Sequence, residues 1–148
     1  MDCTCGFSHR CFSISAHLSY FSDMRYFAEL AYRGTRYAGW QRQPHSPSVQ
    51  QTIEEALSTL LREEVEVVGC GRTDTGVHAS FYVLHVDYAG DFPPYFLNRL
   101  NRILPKDIVF FRFYPVSEKA HARYDASRRS YEYHLSWRKD PFAEDTAW

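Results

Sequence analysis

An acid set between an arginine and two glycines is the most reactive-looking arrangement in this chain. Residues 71–79 read Gly71-Arg72-Thr73-Asp74-Thr75-Gly76-Val77-His78-Ala79. Glycines at 69, 71 and 76 permit backbone angles that a Cβ disfavours, so a loop here can turn sharply and bring the Asp74 carboxylate close to a ligand. Arg72, two residues away, favours the ionised acid if the two side chains converge, and its planar guanidinium also suits a phosphate. No second acid, serine-histidine pair or Cys/His cluster accompanies Asp74 in the surrounding segment. A lone carboxylate suits nucleophilic attack or proton abstraction better than hydrolysis by a carboxylate pair. The plainer alternative is that Asp74 caps a helix or closes an Asx-turn. His78 and His85 also offer imidazoles, but a histidine in a strand or tight loop is more often a hydrogen-bonded structural residue.

The flanking patterns say what must position this loop. Residues 25–33 alternate large and small side chains with aromatics in or beside the run, which predicts a strand ended by Gly34-Thr35. Ser48 with Gln51 three residues on makes a capping box that opens a helix. Val49, Ile53, Ala56, Leu57, Leu60 and Leu61 recur at helical spacing as its apolar stripe, with Glu54, Glu55 and Arg62 outside. Residues 65–68 predict a short β-branched strand leading into the glycine-rich loop, and residues 81–88 predict the next strand, stopped by Pro93-Pro94. A second helix over 95–104 turns Phe96, Leu97, Leu100, Ile103 and Leu104 inward and ends at Pro105, and 108–114 reads as a fourth strand. The order β-α-β-β-α-β is an α+β, ferredoxin-like arrangement with helices on one face of the sheet, the one that RNA-recognition modules use. Asp74 then falls between strands two and three. A further strand over 130–137 lacks a helix or hairpin to follow it, as if a new unit began there.

Composition bounds the reading. At 148 residues, with 45% hydrophobic and 24% charged, the chain can build one domain with a core. No apolar run approaches the ~18 residues of a membrane span, so a soluble protein with no membrane partner is expected. The net charge of −1 announces no global basic field, but the distribution is uneven. Residues 119–139 hold Lys119, Arg123, Arg128, Arg129, Arg138 and Lys139 against Asp125 and Glu132, with Tyr124, Tyr131, Tyr133 and Trp137 interleaved. Such a stretch offers charge for phosphates beside flat rings for bases, although a solvated strand face with aromatic cross-strand pairs has the same composition. Cys3, Cys5 and Cys11 lie near His9 and His17, but structural zinc sites pair their ligands on a defined knuckle, and no metal is expected. Residues 1–23 have no clear periodicity and precede Met24, where alternation begins, so they read as a disordered leader or a mis-assigned translation start.

At these residues the chain resembles the tRNA pseudouridine synthase A family. Residues 71–79 are similar to its catalytic loop, in which Thr75 is more often alanine. Gly39-Trp40-Gln41-Arg42-Gln43, Ser48-Val49-Gln50, Asn101-Arg102-Ile103-Leu104-Pro105, Asp107-Ile108 and His121-Ala122-Arg123-Tyr124 match family motifs in family order, so the resemblance covers residues 25–137. It implies an isomerase that detaches uracil from its ribose, rotates it and reattaches it through carbon, in the anticodon arm of tRNA and without cofactor. On this resemblance Asp74 matches the essential aspartate, acting as nucleophile or as base toward a sugar proton. Arg72 matches the arginine that helps displace the target base. Tyr131, in Arg129-Ser130-Tyr131-Glu132-Tyr133, matches the tyrosine that packs against the flipped uracil, with Ser130 and Glu132 where basic residues are commoner. Gln41, Arg42 and Arg123, from the matching motifs, complete the expected substrate contacts. The family further implies a cytoplasmic homodimer and a fold of two similar halves. The expected domains are therefore the leader at 1–23, a catalytic domain at 24–137 and the start of a truncated second half at 138–148, a fragment that binds tRNA weakly and has little activity alone. Two other classes compete. Asp74-Thr75-Gly76 also spells the triplet of aspartic proteases, but two amphipathic helices disagree with an all-β protease. A non-catalytic RNA-binding module would use the same sheet and basic segment, with Asp74 merely structural.

Overall fold

The computed structural model describes residues 24–139, 141 and 143. The leader at 1–23, its cysteines and histidines, and most of the stretch at 138–148 lie outside the described residues. Strand β1 (Met24–Tyr32), helix α1 (Val49–Leu61), strands β2 (Val67–Gly69) and β3 (Ala79–Tyr88), helix α2 (Phe96–Ile103) and strand β4 (Ile108–Val116) follow in the expected order. The strands form one antiparallel sheet, ordered β2-β3-β1-β4. This is the α+β, ferredoxin-like arrangement. No helix among the described residues is long and apolar enough to cross a membrane.

The two-residue period of the strands sorts side chains between faces. Ala28, Leu30 and Tyr32 of β1, Tyr82, Leu84 and Val86 of β3, and Ile108 and Phe110 of β4 are buried with Val49, Ile53, Ala56 and Leu57 of α1 and Phe96 and Leu100 of α2 in one core. Arg25, Phe27 and Glu29 alternate with that set and belong to the opposite face. Ser48 caps α1, its Oγ accepting from the Gln51 amide at 3.2 Å, but the return half of the expected capping box is not formed, and the Gln51 side chain donates to Glu55 Oε1 at 2.8 Å. A register shift in the β1–β4 ladder between Glu29 and Leu30 returns Phe113 to the core side, where it stacks on Phe110 at 5.2 Å. Asn101 of α2 reaches the same strand, donating to the Phe110 carbonyl at 2.9 Å and accepting from the Phe110 amide at 2.8 Å.

Three expectations are corrected. Glu54 does not lie outside the apolar stripe; it is 5% exposed. Its Oε1 accepts from Gln50 Nε2 and from the Val67 amide, both at 3.1 Å, and its Oε2 pairs with Arg42 at 2.8 Å, so partners on three segments compensate the buried charge. Ile103 does not turn inward: the buried row runs Phe96, Leu100, Leu104 in steps of four, which leaves Ile103 46% exposed. Residues 130–137 form no strand, because an extended chain needs a ladder and none reaches them among the described residues. Tyr131, Tyr133, Leu135 and Trp137 are all exposed there.

Candidate active site

The loop of residues 70–78 joins β2 to β3, and its backbone is tied down at alternate positions. The Tyr82 hydroxyl donates to the Gly71 carbonyl at 2.5 Å. The Thr73 carbonyl accepts from the Trp40 amide at 3.0 Å, and Thr73 Oγ1 shares a hydrogen bond of 2.8 Å with the Tyr32 hydroxyl. Beyond Asp74, the Gly76 amide donates to the Tyr37 carbonyl at 3.3 Å, and the Val77 amide closes a turn onto the Asp74 carbonyl at 3.2 Å. Arg72 and Asp74 fall between the anchored residues. Both are exposed, and among the described residues neither side chain is held in a hydrogen bond or ion pair. The convergence of Arg72 on Asp74 that their spacing allows is therefore not formed.

Beneath the loop, Trp40 packs on Tyr82 with ring centroids 4.3 Å apart, and Tyr32 meets both rings at 6.0 and 5.5 Å. Burial pushes the Tyr32 phenol up to about 12, against which its hydrogen bond to Thr73 works, and pushes Tyr82 higher still. Both phenols keep their protons at neutral pH and serve as hydrogen-bonding anchors rather than bases. Two glycines let neighbouring chain approach. Gly39 adopts φ +97°, and a Cβ there would sit 2.5 Å from the Thr73 carbonyl oxygen. Gly34 abuts the Val77 carbonyl in the same way, and its amide donates to His78 Nδ1 at 2.9 Å, which gives that imidazole a structural role. Residues 39–43 are in turn fixed to α1: the Gln50 amide donates to the Trp40 carbonyl at 2.9 Å, and the Arg42 amide donates to Gln50 Oε1 at 3.1 Å. Arg42 is thus committed through its guanidinium to Glu54, while Gln41 is exposed.

After β4 the chain is held by residues that alternate away from the core. Arg25 makes a two-pronged contact with Asp87 at 2.7 and 2.6 Å and donates to the Ala120 carbonyl at 2.8 Å. The Ala122 amide donates to His85 Nδ1 at 3.1 Å. The His121 amide donates to Asp125 Oδ2 at 2.7 Å, and the His121 ring packs on Tyr124 at 4.1 Å, so residues 121–125 make a compact turn against β3. Burial, helped by the Arg25 guanidinium and the neighbouring His121 ring, pushes His85 down to about 4. The ring is neutral at pH 7, as an Nδ1 that accepts from an amide requires. The Arg123 side chain is exposed. Arg129 then donates through Nε and Nη2 to the Cys70 carbonyl at 3.0 and 2.6 Å, and through Nη2 to the Arg123 carbonyl at 2.9 Å. Tyr131, two residues on, is 62% exposed.

Asp74 and Arg72 therefore share one buttressed loop, and the segment bearing Tyr131 is fastened to the start of that loop. Arg123 contributes its carbonyl to the fastening, Arg42 belongs to the support behind the loop, and Gln41 is exposed. The residues that the sequence did not single out are the anchors. Tyr32 and Tyr82 lie in strand runs where aromatics mean core, and nothing in their spacing indicates a hydroxyl aimed at residue 71 or 73. Arg129 counted as one cation of a basic stretch and as the start of the motif around Tyr131, with no role of its own.

The family of tRNA pseudouridine synthases matches residues 28–125 of the chain. The tRNA pseudouridine synthase A of Porphyromonas gingivalis is 56% identical over 123 residues, covering 81% of this chain and 49% of that protein. Its counterpart in Parabacteroides distasonis is 49% identical over 121 residues, covering 80% and 48%, and that of Aquifex aeolicus is 42% identical over 127 residues, covering 83% and 52%. The chain spans about half the length of these curated relatives.

Proposed function

The chain belongs to the tRNA pseudouridine synthase family, and on that premise we propose that it isomerises uridine to pseudouridine in the anticodon arm of tRNA, with Asp74 as the reacting group. The exchange breaks the bond between N1 of uracil and C1′ of ribose and makes one from C5 to C1′. One proton leaves C5 and one arrives at N1, so atoms and electrons balance without oxidant or cofactor. Asp74 serves either as nucleophile toward the sugar carbon or as base toward a sugar proton. The observation that carries the reading is the alternation in residues 71–74: Gly71 and Thr73 are anchored, so Arg72 and Asp74 are presented on a backbone fixed before any substrate arrives. Extracting a stacked base costs a few kcal/mol, and an exposed ring such as Tyr131 can return part of that by stacking on the flipped uracil. Arg72 helps displace the base, and Arg123 and Gln41 contact the RNA, with Arg42 there chiefly as support. The setting is the cytoplasm, and two copies associate around one tRNA.

Asp74→Asn tests this in the gene-encoded protein on an unmodified tRNA transcript. The exposed substitution should leave the thermal midpoint unchanged and tRNA affinity within about threefold, while pseudouridine formation disappears. Modification that persists in the variant refutes the assignment. Binding without modification by the wild type would favour the RNA-binding module.

A further inference from the structure

We propose that Arg129 is a positioning residue that holds the segment bearing Tyr131 in place against the loop bearing Asp74. This rests on the roles given above to those two residues. Arg129 is exposed, yet its guanidinium is engaged by two backbone carbonyls from separate stretches, those of Cys70 and Arg123. Among the described residues no carboxylate accepts from it, so the contact is a clamp on main chain rather than a surface ion pair. The place it grips is a fixed one. The Cys70 amide donates to the Val83 carbonyl at 2.8 Å, which ties residue 70 to the β3 backbone where the loop departs.

Gly71 leaves the room this needs, since a Cβ there would lie 3.2 Å from Arg129 Nε. A planar fork can place two N–H groups on one carbonyl and reach a second, whereas a lysine ammonium on a flexible stem has no such preset geometry. Upstream, the Ala120 carbonyl and Ala122 amide are pinned by Arg25 and His85. Downstream, residues 130–137 have no ladder, and Tyr131 has no hydrogen bond or ring contact of its own among the described residues. Arg129 is therefore the last fastening before Tyr131. The carbonyls do not neutralise the guanidinium, so its charge also stays beside the loop.

Backbone 15N relaxation tests the clamp without reference to activity. In the wild type, residues 128–131 should show order parameters near the ~0.85 of rigid backbone, and in Arg129→Ala they should fall below about 0.6 while residues 71–77 keep theirs. Arg129→Lys should fall between. Low order parameters already in the wild type, or none changed by either substitution, would overturn the proposal. Turnover by the gene-encoded protein supplies the second readout. A displaced ring should lower kcat about tenfold or more with KM for tRNA within about threefold. A loss carried by KM alone would make Arg129 a phosphate contact and equally overturn the proposal. Asp74→Asn judges the activity separately, so a failed activity reading leaves the relaxation result to decide whether Arg129 holds the segment.

Discussion

The two stretches that carry the proposed chemistry are held in opposite ways. Loop 70–78 is sewn to the domain along its length by Tyr32, Tyr82, Trp40, Tyr37 and Gly34, from three directions. Among the described residues, 126–137 are hydrogen-bonded to the rest of the domain through the guanidinium of Arg129 and then run exposed. The two kinds of hold match two kinds of task. A carboxylate that must meet one atom gains from being aimed in advance, whereas a ring that replaces stacking can be ordered by the base it receives.

The sharpest break of this contrast is Gly39→Ala. A side chain at φ +97° with its Cβ 2.5 Å from the Thr73 oxygen combines backbone strain with overpacking, and about 3 kcal/mol of stability should be lost in thermal unfolding. Gly76→Ala is its control: φ is +80° but nothing lies within 4 Å of the added carbon, so the backbone term alone remains, about 1 kcal/mol. Equal losses would mean that close approach to Gly39 does not hold the loop.

Acid should act on the other stretch. His85 is held near 4 by burial against an ordinary value of 6.5, so on acidification the unfolded chain binds the proton first. The contribution of the neutral ring is complete above pH ~6.5 and is lost as pH falls toward 4, at most roughly 3 kcal/mol. Asp87 beside Arg25 and Glu29 beside Arg112 have carboxyls held below their usual range and lose their contributions at lower pH still. Protonation also turns the His85 acceptor into a donor facing the Ala122 amide, so residues 120–129 should loosen in the same window, read by amide resonances. His85→Gln should flatten the slope between pH 6.5 and 4, and a slope that survives the substitution would assign it elsewhere.

The smallest expected effect is that of Tyr131→Ala on stability. An exposed ring with no hydrogen bond or ring contact of its own among the described residues should cost within about 0.5 kcal/mol. A loss several times larger would show that residues 126–137 are packed as firmly as the loop, and the contrast would fall.

The scaffold was legible because its signals are periodic. The stripe of Val49, Ile53, Ala56 and Leu57, the N-cap at Ser48 and the alternation in β1 each depend on neighbours a few residues away, and each formed where expected. What failed depends on distant partners. Glu54 reads as solvent-facing until Arg42 and the Val67 amide arrive across the fold, although Gln50 one helical turn earlier was a local hint. Residues 130–137 have strand-like composition, but composition supplies no partner. The loop was legible as a composition of glycines around an acid. Its anchoring was not, since the contacts of Tyr32 with Thr73 and of Trp40 with the same residue span long stretches of chain and have no period.

The amide of Asn101 has one further consequence, for what can lie beside this sheet. Among the described residues β4 is an edge strand, and exposed edges offer unpaired donors and acceptors on which foreign strands can template. The Asn101 side chain imitates a neighbouring peptide and occupies both backbone groups of Phe110. Five residues on, Pro115 has no N–H to give. An incoming strand thus meets a filled position and a missing donor within one edge, a built-in guard against cross-β growth at the side where Val109 and Phe111 stand exposed.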